Sequence, residues 1–161
     1  MLSDVVTYIE SLAKRHKSVL HSKSECHFAD LNDKKNSLLP TQMRYPFVMF
    51  EATGFKFANN GVAPTKIRTC SLSVMTHVTD TGDYAQIESA LAITEQIVTD
   101  FFTQMCVDKH NRNYRFLLNV DISDSEVTPI ENHDDALYGQ IATFQFNDSV
   151  CIKESINNFN S

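Results

Sequence analysis

Apolar and polar positions change period several times along this chain, and each change marks an element. Val5, Val6, Ile9, Leu12, Ala13 and Val19 recur at three- and four-residue spacing. That is one stripe on a helix running from Ser3, placed as N-cap, to about Leu20. Ser24–Leu31 alternates weakly and predicts a short strand. Asp30–Arg44 is polar, has no period and contains Pro40. It predicts a long loop, of the kind that is often functional or ordered by a partner. Tyr45–Asn60 is rich in aromatic residues and predicts a strand opened by Pro46, whose missing N–H is harmless at a strand start, with Gly54 a bulge or bend. Asn59–Pro64 reads as a turn. Within Lys66–Asp80, Cys70, Leu72, Val74 and Val78 share one face, while Thr69, Ser71, Ser73 and His77 share the other. That alternation predicts a strand with one buried and one wet side.

At Thr81 the period switches to that of a helix, which is expected to run to Cys106. Asp83 and Gln86 form a variant capping box at its start. Tyr84, Ile87, Leu91, Val98, Phe101, Phe102 and Met105 make its apolar stripe. Burying each large side chain of that stripe would contribute roughly 1.5–3 kcal/mol before entropy is counted. After a basic polar loop, Asp108–Asn113, Phe116, Leu118, Val120 and Ile122 alternate with Arg115, Asn119 and Asp121, which predicts another one-sided strand. Tyr138–Asn147 predicts the last strand, with Ala142, Phe144 and Phe146 on its buried face. Strands joined by hairpins, with helices gathered to one side, define an α+β fold. The expectation is an antiparallel sheet with an N-terminal helix and one long central helix packed on one face. A single domain is expected over 1–152, followed by a polar tail, 153–161.

Length and composition fit that picture. With 161 residues, 42% of them hydrophobic, the chain suits one domain with a sizeable core. A net charge of −6 opposes a broad electrostatic grip on nucleic acid. The short basic run Lys14-Arg15-His16-Lys17 reads as a solvated helix end favoured by the helix dipole. Cys26, Cys70, Cys106 and Cys151 form no close pair, so a structural zinc is not expected. Nor is a secretory leader or a membrane span, since no apolar run approaches roughly 18–20 residues. Buried, reduced thiols in a cytoplasmic setting are the corresponding expectation.

Candidate chemistry is sparse. None of the four glycines falls in a phosphate-binding spacing. Neither a GxSxG elbow nor an HExxH helix is present. His16 beside the first apolar stripe reads as a satisfied, partly buried histidine. Cys26 and His27 are neighbours on a strand, so their side chains point to opposite faces. Glu131, His133, Asp134 and Asp135 remain. Oxygen-rich clusters hold Mg²⁺ or Ca²⁺, and a histidine widens the choice. Asp and Asn also populate turns, where their side chains bond the local backbone. A solvated turn is the reading taken, with a metal-dependent hydrolase using His133, Asp134 and Asp135 as the alternative. No catalytic residue, metal or other cofactor is therefore assigned, and the chain is read as a non-enzyme.

The order of elements carries a resemblance. An N-terminal helix leads to a strand that opens with Tyr45-Pro46-Phe47-Val48. A second long strand, Ile67–Val78, precedes a TD/GD-capped helix ending in Phe101-Phe102. The acidic stretch Glu131–Asp135 then feeds the alternating strand Tyr138–Asn147. This layout, from Met1 to about Ile152, resembles the tail terminator or tail completion proteins of long-tailed bacteriophages and the related neck-region proteins. The resemblance implies a virion structural subunit assembled in the bacterial cytoplasm. It would form a homo-oligomeric ring, a hexamer, that caps the tail tube and meets the tube protein and the head–tail connector or neck proteins. DNA would pass through without specific binding, and no membrane is involved. On that reading Asp30, Asp33, Lys34, Lys35, Leu38, Leu39, Asn59 and Asn60 belong to interface loops. Glu131, Asp134 and Asp135 would face the lumen, with Asp121–Glu126 as the other candidate segment, where carboxylates repel phosphates and keep the passage from sticking. A free cytoplasmic binding protein, such as an inhibitor of a host enzyme, is the remaining alternative.

Overall fold

The computed structural model describes residues 2–22, 24–32, 43–59 and 64–149. Helix α1 (Leu2–Arg15) and strand β1 (Cys26–Asp30) are followed by β2 (Met43–Asn59) and β3 (Pro64–His77). Helix α2 (Tyr84–His110) comes next, then a 3₁₀ helix (Arg115–Asn119), β4 (Val120–Asn132) and β5 (Leu137–Ser149). The strands make one sheet in the order β1-β2-β3-β5-β4. Both helices pack on one face of it: Val5, Ile9 and Leu12 of α1 and Ile97, Val98, Phe101 and Met105 of α2 join Val48, Phe50, Leu72, Val74, Ala142, Phe144 and Phe146 in one core. The expected α+β class is thus observed.

The two longest apolar periods translate directly into structure. Asp83 caps α2, accepting from the N–H groups of Ala85 at 3.0 Å and Gln86 at 3.3 Å. The Gln86 side chain bonds the Asp83 carboxylate, not its backbone N–H, which already donates to Asp80 O. Helix α2 runs a turn beyond Cys106, so Asp108, Lys109 and His110 lie in its last turn and not in a loop. Tyr84, counted on the apolar stripe, is instead exposed in the first turn, where α2 overhangs the core. On β3, Cys70, Leu72 and Val74 are fully buried as expected.

Four local expectations are corrected. The alternation from Phe116 to Ile122 does not extend: Arg115–Asn119 winds as a 3₁₀ helix that buries Leu117 and leaves Leu118 half exposed. The strand starts only at Val120. Helix α1 ends at Arg15, because the His16 carbonyl accepts from both Val19 and Leu20 and Leu20 adopts φ 51°. Ser71 and Ser73 are buried although their face carries neither helix. Each lies between partners on β2 (Glu51, Met49) and β5 (Thr143, Ile141), and larger neighbours shade a small side chain on a central strand. Finally, the sheet is mostly, not wholly, antiparallel, since β1 pairs with β2 in parallel.

That parallel pair is irregular where Pro46 falls: the register shifts between the Cys26↔Met43 and Phe28↔Val48 pairs. Pro46 has no N–H for the ladder. Its carbonyl is instead bonded to His27 Nδ1 at 2.8 Å. Pro46 is therefore the fourth residue of its strand, not the first. Gly54 marks a bulge, with the β2–β3 register shifting between Ala52 and Gly54. At the other end of the sheet Gly139 lies against β3 so closely that a Cβ there would collide with the Val74 carbonyl oxygen.

Candidate functional site

The acidic stretch that opened as a candidate metal or lumen site is a tight hairpin end. Glu131 and Asn132 are the last residues of β4, paired with Tyr138 and Leu137, and only the four residues between the strands turn. Ala136 takes φ 51° to close that turn. His133 Nδ1 bonds Tyr138 Oη at 2.9 Å, and its Nε2 lies 3.5 Å from Glu131. Asn132 Nδ2 donates to Asp135 Oδ2 at 2.9 Å, and Asp135 N donates back to Asn132 Oδ1. Glu131, Asp134 and Asp135 are all exposed. Among the described residues no three His, Cys, Asp or Glu side chains converge as a metal site would require. The hairpin's carboxylates are busy with local turn bonds or face solvent.

His16, His21 and His27 are tied into the fold by hydrogen bonds. His16 Nδ1 accepts the Ser18 N–H at 3.2 Å while its Nε2 faces Asp100 Oδ2 at 3.1 Å. With both ring nitrogens engaged, the His16–Asp100 pair holds the α1 exit against α2 and leaves no free base. His21 Nδ1 accepts the His27 N–H at 3.1 Å, and burial lowers its pKa despite the nearby Glu10. Cys26 donates to Phe28 O, apart from the His27 contact with Pro46. Burial pushes the Cys70 thiol up to about 11, which keeps it an inert core group. Cys106, by contrast, is exposed on α2, against the expectation of buried thiols. Cys106 lies one turn before the end of α2, on the side of the helix that borders the open space between α2 and β4.

Sequence reasoning missed one buried carboxylate. Asp108 in the last turn of α2 is 4% exposed. A negative charge there opposes the helix dipole and would normally be avoided. Tyr8 Oη, from α1, donates to its Oδ2 at 2.7 Å, and Asn113 Nδ2 donates to its Oδ1 at 2.8 Å. Burial alone would raise this carboxyl, but the bonds from Tyr8, Asn113 and Gln104 outweigh it and hold the group below the usual carboxylate range. The same contact and burial push the Tyr8 phenol upward. Tyr8 also packs edge-on against Tyr114 and Phe116. The cluster is a staple between α1, the end of α2 and the 3₁₀ helix.

Of the expected interface residues, Asp30 ends β1 and accepts from Asn32 N and Nδ2, forming a turn. Asn59 is the last residue of β2, opposite Pro64. Asp33, Lys34, Lys35, Leu38, Leu39 and Asn60 lie outside the described residues, as does the expected tail 153–161.

Two exposed surfaces stand out that the sequence pattern did not single out. Beyond Ala52 and Cys70, β2 and β3 continue as a paired arm, joined by the end of β5, and among the described residues no helix lies over it. The arm carries Phe55, 54% exposed, and Phe57, 65% exposed, in edge-to-face contact at 5.6 Å. Lys66 Nζ sits 3.8 Å above the Phe55 ring, with the Arg68 guanidinium 5.6 Å from it. Across the sheet, α2 and the edge strand β4 enclose an open groove of about 720 Å³, floored by Val98, Phe102, Ile122 and Val127. Asp121, bonded to Ser123 and so held below the usual carboxylate range, stands at its rim. β4 loses register with β5 between Asp121 and Glu126, the stretch that supplies Asp121, Ile122, Ser123 and Ser125 to the groove.

Comparison with protein-family models and with curated proteins finds no match to this chain. Among the described residues no helix is long and apolar enough to cross a membrane.

Proposed function

We propose that the chain is a structural subunit of a bacteriophage particle, of the tail terminator or neck type, that works as a ring of copies between tail tube and head. The observation that supports this reading is the β2–β3 arm. It projects past the helical layer and holds two phenylalanines in solvent. Exposed aromatic pairs on a rigid ribbon mark surfaces that another protein covers. The α1-β1-β2-β3-α2-β4-β5 layout, with both helices on one face, agrees with the order that motivated the family resemblance.

In this role the protein does no covalent chemistry. Its work is shape: a stiff sheet that presents an arm at one end and an acidic hairpin, Glu131 to Asp135, at the other. The His77↔Leu137 and Thr65↔Ser149 pairs set those ends roughly 40 Å apart, at ~3.3 Å per strand residue. An acidic end suits a passage for DNA, because carboxylates repel phosphates. Mass spectrometry and electron microscopy of purified particles test the proposal. The expected result is the chain present in several copies, as a ring at the tail–head junction. Particles that lack it refute the proposal.

A further inference from the structure

The arm and the groove are complementary, and they lie on different flanks of the sheet. The arm belongs to β2 and β3, whereas the groove lies over β4 at the sheet edge, outside β5. The arm offers two phenyl rings and, on the same face, the cations Lys66 and Arg68. The groove offers an apolar floor and is bordered by the acidic segment Asp121–Glu126, in which Asp121, Asp124 and Glu126 are all exposed. The groove's own cation Lys109 is occupied, its Nζ donating to Val120 O at 2.6 Å.

A second observation singles out the same two surfaces. Among the described residues, the buried side-chain polar atoms without a hydrogen-bond partner are Arg68 Nε, Asn147 Oδ1 and Ser125 Oγ. Arg68 lies in the arm on the face of Phe55, whereas Asn147, paired with Ile67, lies on the opposite face. Ser125 lines the groove. Buried polar groups are almost always satisfied, so Arg68 and Ser125 mark places at the two surfaces where polar satisfaction is incomplete within one copy.

We infer that the arm of one copy docks in the α2–β4 groove of the next. Phe55 and Phe57 seat on Val98, Phe102, Ile122 and Val127, and Lys66 and Arg68, on the same face of the ribbon, face Asp121, Asp124 and Glu126. The contact joins two different surfaces of the same chain, so it is heterologous. Repeated by a closing rotation it makes a ring, and without closure it makes a filament. Complementary charge at the rim selects the partner and its register, while the phenyl rings supply the buried apolar area. The inference deepens the ring reading and rests on it for closure, but the pairwise contact stands on its own geometry. A second copy is favoured over nucleic acid because the chain carries a net charge of −6.

Cys106, exposed at the groove, supplies the test. Two chains are prepared, both with Cys26→Ser and Cys151→Ser. One adds Phe57→Cys and Cys106→Ser; the other keeps Cys106. Mixed at high concentration with a short bismaleimide, they are expected to give a 57–106 linked dimer. Its yield should exceed by roughly tenfold that of a control chain carrying Ile93→Cys in place of Phe57→Cys, as docking raises local concentration. Asp121→Lys in the Cys106 chain should cut the yield, and Lys66→Glu in its partner should restore it. Thermal melts and circular dichroism check that each variant folds.

A 57–106 yield no higher than the control in folded chains overturns the inference, as does a product linked 57 to 57. If instead the arm chain retains labelled single-stranded DNA and gives no 57–106 product, the arm is a nucleic-acid contact and the inference falls. Particles that lack the chain while the 57–106 link forms would remove the ring role alone. Particles that contain it without that link would remove only the docking.

Discussion

The Tyr8–Asp108 contact offers the sharpest test of how this fold is held together. It joins residues 100 positions apart in the chain and is buried. Asp108→Asn keeps the shape but removes the charge, and the amide NH₂ must then face one of two donors, Tyr8 Oη or Asn113 Nδ2. A hydrogen bond to a charged acceptor is worth about 1.5–3 kcal/mol, so Asp108→Asn should cost about 2 kcal/mol at neutral pH. Tyr8→Phe should cost a similar amount, because the carboxylate stays buried with one donor fewer. For a chain of this length about 2 kcal/mol lowers Tm by roughly 4–8 °C. Urea unfolding followed by circular dichroism measures each loss, and the double variant should recover about 1 kcal/mol relative to the sum of the singles. The pH dependence adds a second check. Asp108 has a folded pKa below its unfolded one, so its stabilisation is present above the usual carboxylate pKa. That contribution is lost as pH falls through the lower, folded value. The gap between wild type and Asp108→Asn should therefore narrow in acid. Additive single variants, or a gap unchanged from neutral to acid pH, would refute the assignment of the staple.

Further outcomes are expected elsewhere. Gly139→Ala places a Cβ against the Val74 carbonyl and within 2.8 Å of Met75 Cα, both backbone, so the ladder must shift; a loss of about 3 kcal/mol is expected in the same unfolding assay. His21 is neutral while it accepts the His27 N–H, and its pKa is lowered. Stability from this site is therefore full above the ordinary histidine pKa and falls as pH drops through the folded value, and His21→Gln should flatten that part of the pH–stability curve. At the exposed hairpin, Asp134→Asn with Glu131→Gln should change stability by less than about 0.5 kcal/mol. Calorimetric titration of the wild type with Mg²⁺, Mn²⁺ or Zn²⁺ should show no heat of binding, and a saturable metal site would revive the hydrolase alternative.

Much of the fold was legible in the chain because burial is local and periodic. Val5, Ile9 and Leu12 had to share a helix face, and Cys70, Leu72 and Val74 a strand face, whatever lay against them. The Asp83–Gln86 cap and the Gly54 bulge were legible for the same reason: their chemistry is completed within a few residues. The 3₁₀ helix at Arg115–Asn119 was not, since a five-residue run fits a strand alternation equally well until Leu117 finds the core. The candidate surfaces were less legible still. The interface loops and lumen acids follow from the resemblance and from loop position, which no local packing fixes. By contrast, Phe55 and Phe57 read in the sequence as ordinary strand aromatics.

The sequence alone determined the class, the two long apolar-striped helices, the central strands and the buried faces of β3 and β5, because each follows from a repeat of apolar side chains along a few turns or pleats. Only the tertiary structure decided that β1 runs parallel to β2, that α1 and α2 meet through Tyr8 and Asp108, and that β2 and β3 outrun the helices above them. Those three features depend on which distant residues come together and where one layer ends before another. No local pattern encodes the length of a neighbour. The same strand period that buries Phe50 beneath the helices leaves Phe55 and Phe57 beyond their reach, in solvent, on the surface proposed for the next copy.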